Sequence, residues 1–261
     1  MMADKSKFDT ETTARHYAAA RPTYPSELFD TLDELLGRGL AGADVVDVAA
    51  GTGISSRQLA ERGAHVTAVE LSGAMIAELA AASAAVHAVR GSGHALPLAD
   101  DSADLITYAQ AWHWMDPAQA VPEIRRVLRP GGVLALWWNQ TDRTSGWAKE
   151  QAERITAVVP GWAQEDGTAS TRAAALDGVL PKNRHSFRFA WERTVPIETH
   201  LSNLASKSYI AALGDDLEPF IDAERRILTE RLPQGEVTEH FSTLLITALP
   251  NAEGLSIADK S

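Results

Sequence analysis

The 261-residue chain has no cysteine, which excludes disulfide frameworks, thiolate-ligated zinc or iron–sulfur sites and thiol nucleophiles. It is also short of positive charge. Lys and Arg total 24 against 35 Asp and Glu, a formal net charge of -11, so a broad basic footprint for duplex nucleic acid or an anionic membrane is missing. The expected partner is a small molecule. Long apolar runs are absent too: the Ala-rich stretch Leu79 to Val86 is broken by Ser83 and too short to cross a bilayer, and Met1 to Asp9 carries charges without a signal-peptide core. A cytoplasmic location is the expectation. His16, His65, His87, His185, His200 and His240 show no metal-ligand spacing, and no metal is expected.

What remains is an ordinary globular balance, 45% hydrophobic and 23% charged. From Asp44 to Trp138 short β-branched runs alternate with helical stretches, the pattern of parallel strands joined by crossover helices. Strands are expected at Val45 to Val48, His65 to Glu70, His87 to Arg90, Asp104 to Tyr108 and Val133 to Trp138. Helices are expected at Ile54 to Arg62, Gly73 to Ala84 and Pro117 to Leu128, the last closed by Arg129-Pro130-Gly131-Gly132. Ser26 reads as the N-cap of a leading helix, Glu27 to Leu36. Phe187 to Val195 and His240 to Leu249 read as two more strands, and Leu217, Phe220, Ile221, Ala223, Ile227 and Leu228 fall at helical spacing. The fold expectation is therefore α/β: a single domain over 1–261 with a doubly wound, mostly parallel seven-stranded Rossmann-like sheet. A helical cap is expected from 1–40, with lid insertions at 140–183 and 196–213.

The sharpest local feature is Val45-Val46-Asp47-Val48-Ala49-Ala50-Gly51-Thr52-Gly53, a small-residue turn from strand to helix. Such a turn lets a ligand lie against the backbone at a helix N-terminus, where free N–H groups favour a carboxylate or phosphate. Glu70 ends the next strand, where a carboxylate can accept from both hydroxyls of a ribose. Together they describe a nucleoside site. A dinucleotide fingerprint would align Gly51 and Gly53 but meets Ser56 where its third glycine belongs, which disfavours a nicotinamide-dependent dehydrogenase.

The glycine turn and acidic strand end are followed by Gly91-Ser92-Gly93-His94-Ala95-Leu96-Pro97-Leu98, by Asp104-Leu105-Ile106 leading to Ala109-Gln110-Ala111-Trp112-His113-Trp114, and by Leu128-Arg129-Pro130-Gly131-Gly132. This order resembles the class I S-adenosylmethionine-dependent methyltransferases. Tyr17 through Pro25 and the His113-Trp114 pair look closest to the small-molecule branch of trans-aconitate methyltransferase-like proteins. The resemblance implies S-adenosylmethionine as cofactor, its methionine end over Ala49, Gly51 and Gly53 and its ribose on Glu70. It places Leu71 and Met75 along the adenine, Ser92, Gly93 and His94 at the adenine edge, Gln110 and Ala111 near the amino group, and Tyr17 or Arg21 across the pocket. Two positions depart from the family pattern: Ala49 stands for a glycine, so a slightly shifted backbone is expected there, and Ser92 stands for an acidic residue.

Methyl transfer from a sulfonium is an in-line displacement with a neutral leaving group, so alignment and exclusion of water are the main tasks. A base is needed only when the acceptor must lose a proton. His113, beside the crevice expected at the strand ends, is the candidate base. Trp112 and Trp138 are expected pocket walls, Trp114 and Trp137 core caps, and Tyr24 and Asn139 orienting groups for the acceptor. Ser206, Ser208 and Tyr209 lie in the expected lid. The rival readings are transfer or cyclisation of the aminobutyrate chain with release of methylthioadenosine, and a non-catalytic cofactor-binding module.

Overall fold

The computed structural model describes residues 20–144, 146–160, 162 and 184–249. Seven strands form one sheet: β1 (Asp44–Val48), β2 (His65–Glu70), β3 (Val86–Arg90), β4 (Ala103–Ala109), β5 (Leu128–Thr141), β6 (Arg184–Pro196) and β7 (Glu236–Ala248). Their order is β3-β2-β1-β4-β5-β7-β6, with β1 to β5 parallel and β7 antiparallel to both neighbours. The expected doubly wound, mostly parallel sheet is present. The chain order reverses direction between β1 and β4, and the crevice at such a switch point is where open α/β sheets bind ligands.

Helices α1 (Ser26–Leu35), α2 (Ile54–Glu61), α3 (Gly73–Ala82) and α4 (Pro117–Val127) cover the two faces. On one face Val46, Val48, Ile106, Leu134 and Leu136 pack against Ala120, Val121 and Ile124 of α4. On the other, Val45, Val66, Leu105 and Val133 meet Leu28, Phe29 and Leu32 of α1, Leu59 of α2 and Leu79 of α3. Strands buried on both sides favour apolar residues on both faces, which is why β4 and β5 read as near-continuous runs. Helix α1 is thus a layer of this sandwich rather than part of a cap. It begins at Ser26, with Pro25 in the N-cap position, and the Ser26 hydroxyl bonds Glu27 instead of capping a backbone N–H. Helix α4 is capped as its sequence suggests, Asp116 accepting from Ala118 N–H at 3.0 Å, and it stops at Val127 because Leu128 already pairs with Ala103. The Pro-Gly-Gly turn is accordingly absorbed into an irregular start of β5.

Beyond the sheet lies a second body. Strand β5 ends at Thr141 opposite Phe241, yet β6 and β7 continue to pair as far as Pro196 and Glu236. This overhang projects past the carboxyl end of β5. Around it pack α5 (Gly146–Val158), α6 (Ile197–Ala205), α7 (Ser208–Ala211) and α8 (Leu217–Arg231), with their own core of Ile155, Leu201, Leu204, Ile210, Ile221 and Leu228. Of the expected lid segments, 163–183 lies outside the described residues.

Candidate active site

The switch-point crevice is framed by strained backbone. Ala49 (φ 54°) and Gln110 (φ 58°), just past the carboxyl ends of neighbouring strands β1 and β4, both adopt the left-handed conformation. Non-glycine residues hold such angles where surrounding structure forces them, commonly at ligand clamps. The expected accommodation at Ala49 is therefore corrected: alanine takes the left-handed turn itself, at a cost of about 1 kcal/mol or more. Gly53, with φ 75°, starts α2, and a Cβ there would lie 2.7 Å from Leu79, so only glycine lets α2 settle beside α3. At Gly51, φ 59°, a Cβ would meet open space: the backbone faces the crevice.

Glu70 braces this turn. Its Oε2 accepts from Gly51 N–H at 2.9 Å, and its Oε1 from Leu71 and Ser72 N–H at 2.8 and 2.9 Å. A carboxylate has about four lone-pair sites, so three amides leave roughly one for a ligand hydroxyl unless Gly51 shares Oε2. Glu70 is thus a brace of the glycine turn as well as the acidic strand end that the sequence shows. Beneath the turn sits a carboxyl the sequence reading gave no role. Asp47 is wholly buried and accepts from Ser56 Oγ at 2.6 Å and Thr107 Oγ1 at 2.8 Å. Burial pushes its pKa up to about 6 despite these hydroxyls. Ser56, noticed in the sequence only as a missing glycine, was the available signal: a hydroxyl one turn into α2 points back at the strand.

The other expected ligand residues divide. Met75 and Ala111 are buried, Leu71 is 46% exposed, and Gly93 is packed so that a Cβ would strike Met115 and Val48. Ser92 Oγ accepts from His94 N–H at 3.2 Å, and His94 Nε2 accepts from Asp116 N–H at 2.9 Å. The His94 ring therefore braces the start of α4. Tyr17 lies outside the described residues. Arg21 donates to Ser206 O at 3.2 Å, joining the leading segment to α6.

The aromatic rim is smaller than expected. Trp112 and Trp138 belong to the sheet core, Trp112 edge-on to Tyr108 with ring centroids 5.1 Å apart, so neither presents a pocket wall. Trp137 is buried as expected, but Trp114 is exposed, its ring tilted against the exposed His113 at 4.8 Å on the turn after β4. Tyr24 is buried against Trp137. Asn139 is a latch: its Nδ2 donates to Thr23 O at 2.9 Å, its Oδ1 accepts from Thr243 Oγ1 at 2.6 Å, and its carbonyl receives Gln110 Nε2 at 3.4 Å. In the cap, Ser206 Oγ bonds Asn203 O, Ser208 is exposed, and buried Tyr209 packs on Trp162 with its hydroxyl 3.5 Å from Arg143. Among the described residues no group of three or more His, Asp or Glu is arranged to hold a metal ion, and no helix is long and apolar enough to cross a membrane.

Comparison with known proteins decides the family. The model of the methyltransferase domain matches residues 46–136, the span of the glycine turn, Glu70 and the β4 end. An uncharacterized methyltransferase of Mycobacterium bovis, Mb3374, is 45% identical over 193 residues, 74% of each chain. The chain belongs to the class I S-adenosylmethionine-dependent methyltransferases. A methyltransferase-like protein of Schizosaccharomyces pombe, C25B8.10, is 29% identical over 92% of this chain and 93% of its own. A solved structure from Anaeromyxobacter dehalogenans, provisionally described as a type II methyltransferase, shares the fold at a TM-score of 0.64 and 22% identity, over 89% of this chain and 99% of that one. The crevice of this methyltransferase suits the family's cofactor in kind: an open glycine backbone at a helix N-terminus, an acidic strand end, and the buried Thr52 Oγ1, which has no hydrogen-bond partner among the described residues.

Proposed function

We propose that this methyltransferase moves a methyl group from S-adenosylmethionine to a small-molecule acceptor by in-line displacement, and that the acceptor enters between the switch-point crevice and the overhanging cap. The observation that carries this is the pair of left-handed residues at the ends of β1 and β4, with the open Gly51 between them and Glu70 beside it. When bound, the cofactor supplies a methyl on a sulfonium whose departure as a thioether needs no acid. The protein's own residues do the rest. Backbone N–H groups at the start of α2 receive the amino-acid carboxylate, Glu70 accepts from the ribose, and exposed Leu71 covers the adenine. Gln110, its side chain tied to Asn139 O, holds the β4 end in place.

Acceptor deprotonation, where needed, falls to His113, the exposed imidazole on the turn after β4. The acceptor belongs to the range handled by the trans-aconitate-like branch; malonyl-[acyl-carrier protein] O-methyltransferase of Enterobacter lignolyticus, 40% identical over 49% of this chain and 53% of its own, supports an oxygen acceptor. The experiment is product analysis over a panel of small carboxylates and hydroxyl compounds. S-adenosylhomocysteine is the expected product, and methylthioadenosine would replace methyl transfer by aminobutyrate transfer. His113→Ala should lower turnover at saturating acceptor more than donor affinity, and an unaltered rate would retire the base.

A further inference from the structure

The cap contains a buried chain of polar groups that the methyl-transfer reading does not use. Arg154 holds Glu224 through both carboxylate oxygens, at 2.5 and 2.9 Å. Gln151 Nε2 donates to Glu224 Oε2 at 2.9 Å, and Gln151 Oε1 faces His200 Nε2 at 3.1 Å. On the ring's other side His200 Nδ1 lies 2.7 Å from Glu239 Oε1, and Arg193 Nε donates to Glu239 Oε2 at 2.5 Å. His200 is 5% exposed, Glu224 and Glu239 less.

The donor count fixes the ring's state. Glu224 is ion-paired with Arg154 and can only accept, so the Gln151 amide must turn its nitrogen to Glu224 and its oxygen to His200. Nε2 must then donate. Glu239 is likewise an acceptor, so Nδ1 must donate as well, and an imidazole that donates from both nitrogens is an imidazolium. Burial alone would raise the Glu239 carboxyl, but the hydrogen bond and charge of His200, with those of Arg193, outweigh it and hold it below its ordinary value.

The chain ends on the leading segment. Arg193 Nη2 donates to Ala20 O at 3.0 Å, and Arg21 donates to Ser206 O at the end of α6, the helix that carries His200. Residues 20–24 then cross to the sheet, where Thr23 O meets Asn139, and the Tyr24 N–H donates to Gln58 Oε1 while its carbonyl accepts from Gln58 Nε2 of α2. This strap runs from the cap across the end of β5 to the helix that starts at the glycine turn.

We infer that His200 is a positioning residue: as a doubly donating cation it orients Glu239, through it Arg193, and thereby the strap that ties the cap to the end of β5 and to α2. The groups facing it are Glu239 from β7 and Gln151 with the Trp147 ring edge from α5; Arg193 of β6 and Glu224 of α8 stand one bond further along.

Three readouts on the full chain test this. Nitrogen-15 NMR of the His200 ring should find both nitrogens protonated at neutral pH; a single proton would overturn the inference. Amide protection at Ala20, Arg21, Thr23 and Tyr24, measured without ligand and corrected for the intrinsic exchange rate of each amide at the same pH, should fall about tenfold in His200→Gln and be lost in Arg193→Ala, and Arg193→Lys should restore part of it. Coincident wild-type and His200→Gln profiles would overturn the role, and if His200→Gln does not fold, the Arg193 pair carries the same comparison: equal protection in Arg193→Ala and wild type overturns it. The consequence for S-adenosylhomocysteine affinity, a parallel weakening in His200→Gln and Arg193→Ala, rests on the proposed donor site. Absence of binding by the wild type at any pH would remove that site, while the ligand-free exchange still decides the role of His200.

Discussion

The sheet and the cap bury carboxyl groups in opposite ways. Under the glycine turn, Asp47 has only hydroxyl partners, which cannot offset desolvation, and its pKa rises to about 6. In the cap, Glu239 meets an arginine and a histidine, and its pKa falls. Hydroxyls satisfy hydrogen-bond geometry; only cations compensate buried charge. The donor half thus tolerates a strained, weakly compensated carboxyl beside its crevice, whereas the cap is fastened by ion pairs.

The largest expected effect lies in the cap. Glu239→Ala leaves Arg193 and His200 buried against one another, and denaturant melts should show a loss of about 3–5 kcal/mol; a loss below about 1 kcal/mol would mean that the cap does not depend on the network. Next is Asp47. Its folded-state value lies above the ordinary 3.8, so the folded protein binds this proton more tightly than the unfolded chain. Stability should therefore decline between about pH 4 and pH 6, by about 2–3 kcal/mol, and stay level above. Asp47→Asn should remove that decline from the pH dependence of the melts, and an unchanged profile would return the charge to ordinary solvation.

Glu70→Ala should weaken donor affinity tenfold or more, since hydrogen bonds to a charged acceptor carry about 1.5–3 kcal/mol and the Gly51 brace is lost with them. Glu70→Gln separates the two functions: its amide keeps one acceptor oxygen, so an affinity between wild type and Glu70→Ala is expected by calorimetry. The smallest effect is at Ala49. Replacement by glycine relieves the left-handed alanine and should raise stability by about 1 kcal/mol; destabilisation instead would show that the methyl group's packing outweighs the backbone strain.

Strands β1, β4 and β5 were legible because burial on both faces favours near-continuous apolar runs, broken here by Asp47 and Thr107, and Gly51, Gly53 and Glu70 were legible because their chemistry depends on backbone and position. The tryptophans misled for the same reason. Trp138 was taken as a strand end, but β5 runs on to Thr141, and on a doubly covered sheet Trp137 and Trp138 are buried on opposite faces. Glu224 sits on the same helical face as Ile221 and Leu228, where spacing alone suggests an apolar residue, and its partners Arg154 and Gln151 lie 70 and 73 positions away. Such a network is set by tertiary packing. Arg21 and Asn139 stand out in the sequence by their motifs, but only the fold shows that they anchor a strap between cap and sheet.

The central claim is that the β1–β4 crevice is the cofactor site of this methyltransferase. Calorimetric titration of the folded chain with S-adenosylhomocysteine tests it most directly: binding at one site per chain, weakened at least tenfold by Glu70→Ala, is the expected result, and no heat from a folded wild-type protein, or the same affinity in the variant, would contradict it.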